Sequence, residues 1–412
     1  MKDVKLYPYQ EEGVAYALAH HYCIIGDGMG LGKTLQAIEV IKRTGLKALI
    51  VCPAFLRETW RRELEKFSSL KIKVCKSSFT FEDNDVAIVS YSNLNKAAAL
   101  FKTVEIVVAD EVHYLKNPDA KRTENFHRYM EIFKPERFIG LSGTAIKNRI
   151  PEFYSLLALC SYNTRGTSGV NVLERFDYWD FCCHFSNRQE FRVGNRTVTK
   201  FVGHRNVDEL RTLLKDKYIR RKASDVLDLP PIIRKDIVLD HDTIDHDLLK
   251  AYQDRNGKAF INHKVNSALI KVKHTAAYAQ ELIDQGEGPI IIFTDHVKPA
   301  EELAQRLSAA CITGQTPMNK RDEIVQRFQA GKIEVLVATI GSLSVGVTLT
   351  RSRNIIFNDL SFVPGDIAQA EKRIHRIGQG GSCVIHRIFW GQVDVFIGKS
   401  LDSKLKTISE VL

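Results

Sequence analysis

Two short stretches of this chain carry side chains in an order that suits phosphate chemistry. In the first, Asp27-Gly28-Met29-Gly30-Leu31-Gly32-Lys33-Thr34, glycines recur ahead of a Lys-Thr pair. Glycine lets backbone N–H groups approach an anion closely, and a helix beginning at the lysine adds partial positive charge. Lys33 is then placed to reach β- and γ-phosphates, with the Thr34 hydroxyl on Mg²⁺. The strict phosphate-loop pattern begins with a glycine where this chain has Asp27. In the second stretch, Asp110-Glu111 closes an apolar run. Asp110 suits holding Mg²⁺ through water, and Glu111 suits taking a proton from the attacking water. Much later come Arg373 and Arg376, whose spacing predicts one shared helix face. Two arginines can spread positive charge over a departing phosphoryl group, an effect worth roughly a thousandfold or more in rate. Ser142-Gly143-Thr144, after another apolar run, offers small hydroxyls that could relay the state of the phosphates. Gln10 could present both an acceptor and a donor to an adenine edge.

The elements that would position these groups are legible from apolar runs. Residues 22–25, 48–53, 86–91, 106–109 and 138–141 read as buried parallel-type strands alternating with helices. A helix is expected over about 9–20, and another carries Trp60, Leu64 and Phe67 on one face. Arg57, Arg61 and Arg62 fall on its other faces, suiting either solvent or nucleic acid. The rhythm breaks at 161–204, where Phe176, Tyr178, Trp179 and Phe181 suggest a local core. Leu229-Pro230-Pro231 interrupts any element, so 220–240 reads as a joint. Residues 245–286 look helical. Strands are then expected at 290–293, 311–313, 335–338, 354–357 and 384–388, without a second glycine loop. The expectation is an α/β protein with parallel sheets flanked by helices and one nucleotide shared between two lobes. The expected domains are 1–160, an insertion and linker at 161–240, and 241–412.

Composition bounds the rest. The chain has 412 residues, 44% hydrophobic and 26% charged, which suits two or three ordinary globular domains. A net charge of +10 favours a polyanionic partner. No run approaches the roughly 20 apolar residues of a membrane span, and the first residues lack the apolar core of a secretory signal. The eight cysteines show no CxxC spacing, which predicts free thiols in a reducing, cytoplasmic setting.

Taken together, the sequence resembles helicase superfamily two, and within it the SWI/SNF-type DNA-stimulated ATPases. Four stretches carry the resemblance: 27–34, Asp110-Glu111-Val112-His113-Tyr114-Leu115-Lys116-Asn117, Leu141-Ser142-Gly143-Thr144, and Gln369 to Gln379, which ends His-Arg-Ile-Gly-Gln. Asn206-Val207-Asp208-Glu209-Leu210, Thr348-Leu349-Thr350 and Gln369-Ala370-Glu371 look most like compact fork-remodelling annealing helicases and bacteriophage branch-migration enzymes. The chain departs from the family with Gly28 in place of Glu, Ala145 in place of Pro, and an altered segment at 342–346.

The resemblance implies two RecA-like lobes with a small helical insertion, ATP and Mg²⁺ as cofactors, and DNA as partner to a monomer. It implies that Gln10 reads adenine, that residues 27–34 hold the nucleotide, and that Thr34 and Asp110 serve the metal. Lys33, Glu111, Arg373 and Arg376 would be catalytic. His113, Ser142, Thr144 and Gln379 would couple hydrolysis to movement. Pro53, Ala54, Ser90, Tyr91, Lys147, Asn148, Thr294, Gly314, Gln315 and Ser342 would meet DNA. The expected activity is ATP-driven translocation on duplex DNA that remodels branches. A strand-separating DNA or RNA helicase, a remodeller of protein–DNA complexes and a non-hydrolysing clamp are the alternatives.

Overall fold

The computed structural model describes residues 5–76, 79–81, 83–143, 150–163, 171–193, 196–239, 257–343 and 347–411. The chain divides into two compact units, one over residues 1–227 with 407–412 and one over 228–406. The first contains β1 (Tyr22–Ile25), β2 (Ala48–Cys52), β3 (Ile72–Val74), β4 (Val86–Ser90), β5 (Ile106–Asp110), β6 (Arg137–Leu141), β7 (Asn187–Val193), β8 (Arg196–Val202) and β9 (Tyr218–Ile219). Seven of these form a sheet in the order β3-β4-β2-β5-β6-β1-β9, parallel throughout. Its central strands are continuous apolar runs with no exposed surface from Ile24 to Ile25, Leu49 to Val51 and Ile106 to Val108, as burial on both faces requires.

The second unit contains β10 (Ile232–Leu239), β11 (Ile290–Thr294), β12 (Ala310–Ile312), β13 (Val335–Thr339), β14 (Asn354–Phe357) and β15 (Cys383–Trp390). They form a parallel sheet in the order β10-β15-β14-β11-β13-β12. Ile291, Phe293 and Ile355 feed one core cluster and Ile290, Ile292 and Ile356 another, the period-two alternation of a sheet covered on both sides. The fold class read from the sequence, α/β with two parallel sheets flanked by helices, is the one observed.

Several details differ from expectation. The described residues within 161–240 contribute strands to both sheets. Two-residue β9 joins the first sheet beside β1, and residues after the prolines form β10, an eight-residue strand along β15. Within the insertion, β7 and β8 make a separate antiparallel hairpin. The aromatic cluster splits: Phe176 and Phe181 are buried, whereas Tyr178 and Trp179 are 37% and 44% exposed. The helix expected at 245–286 is observed as Gly257–Asp284, and residues 240–256 lie outside the described ones. All eight cysteines are free, six of them buried.

Candidate nucleotide and polynucleotide sites

The phosphate loop follows β1, and the helix Lys33–Thr44 follows the loop. That helix starts at Gly32 without a side-chain cap, leaving its first N–H groups available to an anion. Gly32 has φ +76°, and a Cβ there would lie 2.3 Å from Gln10 Nε2, so only glycine fits. Lys33 Nζ folds over the loop, donating to the carbonyls of Asp27 at 2.8 Å and Gly28 at 3.2 Å. Gln10 is buried. Its Oε1 accepts from Tyr7 N at 3.0 Å and its Nε2 donates to Leu31 O at 3.1 Å. An adenine edge would have to exchange with those two bonds.

Asp27, which breaks the strict loop pattern, has no exposed surface. Its Oδ1 accepts from Arg221 Nε at 2.9 Å and from Arg221 N at 3.1 Å, and its Oδ2 from Gln36 Nε2 at 3.0 Å. The Arg221 guanidinium also bonds Gln36 Oε1 at 3.1 Å and the carbonyl of Tyr9. Backbone bonds reinforce the join: Gly26 N reaches Ile219 O at 2.7 Å and Gly28 N reaches Arg221 O at 2.9 Å. Arg221 thus ties the loop, the helix that follows it and the helix Pro8–Ala19 together. It stood in the sequence as part of Arg220-Arg221-Lys222, but a charge run does not say which member faces a buried carboxylate.

The carboxylates lie at the carboxyl end of β5, beside β6, itself beside β1. Asp110 pairs in register with Leu141, and Ile25 with the same residue. The loop, Glu111 and Ser142 therefore emerge from the ends of three adjacent parallel strands, where open α/β sheets bind ligands. Asp110 Oδ2 accepts from Trp60 Nε1 at 2.8 Å and Oδ1 from Glu111 N at 2.9 Å. Burial and then the Glu111 charge push the Asp110 carboxyl up to about 7, against the pull of Trp60, the Glu111 N–H and Lys33. A divalent cation would reverse that shift.

Glu111 adopts the left-handed region, with φ 50° and ψ 51°, a conformation that costs a non-glycine residue energy and turns the side chain away from the strand direction. Buried His113 has Nδ1 3.1 Å from both Glu111 Oε2 and Ser142 Oγ. The structure thus brings Lys33, Glu111, His113 and Ser142 onto one loop cluster. Thr144, Lys147 and Asn148 lie outside the described residues.

In the second unit the helix Pro364–Glu371 stops before the arginines. Arg373 and Arg376 occupy a turn, not the single helix face that their spacing predicted. Gln379 Nε2 lies 3.0, 2.9 and 3.2 Å from the carbonyl oxygens of Ile374, Ser352 and Thr350, tying this turn to residues 350–352. The two arginines still converge, since Nη1 of each donates to Val347 O, at 3.1 and 3.3 Å.

The residues expected to touch DNA separate into two groups. Ala54, Gly314 and Gln315 are exposed, and Ser342 is half-buried. Arg321, absent from the expected set, braces this last region by donating to the carbonyls of Thr313, Gly314, Thr316 and Ser342 at 2.8–3.2 Å. Pro53, Ser90, Tyr91 and Thr294 are buried. Tyr91 OH donates to Asp110 O at 2.9 Å, and Thr294 Oγ1 bonds Asp359. The Thr294 hydroxyl is spent inside the core, so a phosphate contact through it is not supported.

In the first unit, uncapped N–H groups, a lysine over a glycine loop and paired carboxylates at a strand end make an arrangement suited to holding a nucleotide's phosphates. Residues 9–283 match the SNF2-related domain and residues 273–378 the helicase conserved C-terminal domain; the chain belongs to the SNF2-related family. It is 28% identical over 99% of its length to a SWI/SNF-related matrix-associated actin-dependent regulator of chromatin subfamily A-like protein 1 homolog of Caenorhabditis elegans. It is 27% identical, again over 99%, to the human DNA annealing helicase and endonuclease ZRANB3. The chain spans 62% and 40% of the length of these two relatives. Among solved structures, the Sulfolobus solfataricus SWI2/SNF2 ATPase core in complex with dsDNA aligns over 99% of this chain and 93% of its own, with TM-score 0.45 and 21% identity. No described helix is long and apolar enough to cross a membrane.

Proposed function

We propose that the chain is an ATP-driven DNA translocase that remodels branched DNA by branch migration, fork regression or strand annealing. The observation that carries this reading is the convergence of the Gly32-Lys33 loop, Glu111, His113 and Ser142 at three adjacent strand ends. Lys33 neutralises β- and γ-phosphate charge, and the N–H groups at the start of helix Lys33–Thr44 cradle the phosphates. Thr34 and Asp110 would hold Mg²⁺, which supplies charge neutralisation between the phosphates. Glu111 orients the attacking water and takes its proton. Arg373 and Arg376 act as fingers supplied in cis from the second unit. His113, sharing one ring nitrogen between Glu111 and Ser142, is the route by which loss of the γ-phosphate reaches the DNA-facing loops. DNA is held chiefly through phosphates, so grip is blind to sequence and sensitive to salt. Annealing is the named activity of the ZRANB3 relative, which favours rejoining over separating strands.

The test is ATP turnover by the full chain with single-stranded, duplex, forked and four-way DNA and with RNA. Stimulation by duplex and branched DNA above single strands and RNA is expected. Equal turnover with and without polynucleotide would remove the motor reading. Stimulation by single strands alone would favour the unwinding helicase.

A further inference from the structure

The hairpin of β7 and β8 serves none of the roles described so far. Among the described residues its two strands pair only with each other, and an isolated two-stranded ribbon has little stability of its own. It is anchored at its foot. Phe201 packs edge-on against Trp179 with ring centroids 5.3 Å apart, and the Arg188 guanidinium lies 5.1 Å over the same indole. Farther out the hairpin leaves the core: Gln189, Arg192, Thr197, Val198 and Lys200 are all exposed.

Register sorts these side chains. Phe191 stands opposite Val198 and beside the Gln189–Lys200 pair, on one face, while Arg192 and Thr197 share the other. Val198 is 39% exposed and Phe191 opposite it is half-buried, with Lys200 next along the same face. Over 187–202 the sequence holds four cations, Arg188, Arg192, Arg196 and Lys200, against one carboxylate, Glu190. That carboxylate is already paired with Arg188. At the foot, an open cleft of about 450 Å³ is lined by Arg175, His184, Arg205 and Asp180, with Arg175 and His184 both paired to Glu209.

We propose that this hairpin is a branch-point element, docking where a DNA duplex ends at a fork or four-way junction. The proposal rests on the DNA-motor reading above and names the structure that the motor selects. Excess positive charge suits the phosphate backbone. The Phe191–Val198 rung suits an apolar surface that a continuous duplex does not offer, because its base pairs are stacked on both sides. Only the last base pair at a branch presents a bare face, and stacking on such a face is sequence-tolerant. One element thus carries both the affinity for DNA and the preference for a junction.

The experiment compares the full wild-type chain with Phe191→Ala/Val198→Thr and with Arg192→Ala/Lys200→Ala. Duplex-stimulated ATP turnover is measured beside junction migration on forked and four-way DNA. The apolar variant should keep duplex-stimulated turnover within about twofold and lose about tenfold in junction processing, the size of one lost stacking contact. The charge variant should weaken binding to forked DNA and flatten the dependence of log affinity on log salt by about 2, near 0.9 for each lost phosphate contact. Junction processing unchanged in both variants overturns the hairpin's role and leaves the motor reading standing. Loss of duplex-stimulated turnover in step with junction processing in both variants also overturns it. A wild-type chain whose turnover no DNA stimulates overturns the motor reading and this one with it.

Discussion

The bond between Asp27 and Arg221 gives the sharpest test of how the phosphate loop is held. Replacing Arg221 by Met removes the guanidinium and keeps the aliphatic stem. Asp27 is then left with the amide of Gln36 at 3.0 Å and the backbone N–H of residue 221 at 3.1 Å. It loses the Nε bond at 2.9 Å and the Nη2 bond at 2.5 Å. Asp27 has no exposed surface and the Arg221 side chain is 11% exposed, so water compensates little. Stripping one partner from such a pair costs about 3–5 kcal/mol, mostly because the remaining charge stays buried. Asp27→Asn in the same chain removes that charge, so the double variant should recover part of the loss, with a coupling energy of about 2 kcal/mol. Urea unfolding followed by tryptophan fluorescence measures both. In a Trp390→Phe background the remaining indoles, Trp60 and Trp179, belong to the first unit. With a slope of about 2–3 kcal/mol per molar urea, Arg221→Met should lower the midpoint by roughly 1 M or more. A midpoint shifted by less than about 0.2 M, or losses that simply add in the double variant, would refute the idea that this pair secures the loop.

Glu111→Gln should keep nucleotide binding and lower the turnover number by about a hundredfold or more; turnover near the wild-type level would reject Glu111 as the base. Arg373→Ala should bind ATP and DNA with constants close to wild type while turnover falls about a thousandfold. If DNA binding were lost instead, the finger role would be wrong. His127, bonded at both ring nitrogens to Tyr162 and Ser155, is pushed down by burial from 6.5 to about 4. Between those values the unfolded chain binds the proton and the folded chain does not. Stability should therefore fall as pH drops from 6.5 to 4 and level off below, by roughly 3 kcal/mol at most. His127→Gln should flatten that acid limb in thermal melts at stepped pH, and an unchanged limb would assign it to other groups.

The placement of the glycine loop and the two carboxylates at neighbouring strand ends was legible because each part is local. A glycine loop opening a helix and two acids ending a strand announce themselves within ten residues, and parallel strands read as unbroken apolar runs. What escaped the sequence depends on distant partners. Arg221 meets Asp27 across 194 positions, and β9 is two residues long, below any periodicity. The placement of Arg373 and Arg376 was misread because spacing alone implied a helix. The helix ends at Glu371, and Gln379 ties the turn after it to Thr350 and Ser352. Thr294 shows the converse: its hydroxyl is committed to Asp359 inside the core, which no linear motif reveals.

The short β9 has a consequence for how this fold tolerates change. After leaving the sheet at Leu141 the chain wanders for more than seventy residues and comes back beside β1. Its return is clamped to the glycine turn through Ile219 and Arg221. Whatever is spliced into the excursion is bracketed by fixed anchor points, so loops and hairpins there can lengthen, shrink or be exchanged as cassettes while the glycine turn keeps its clamp. The clamp at Ile219 and Arg221 lies only a few residues before the boundary between the two units, which falls after Leu227.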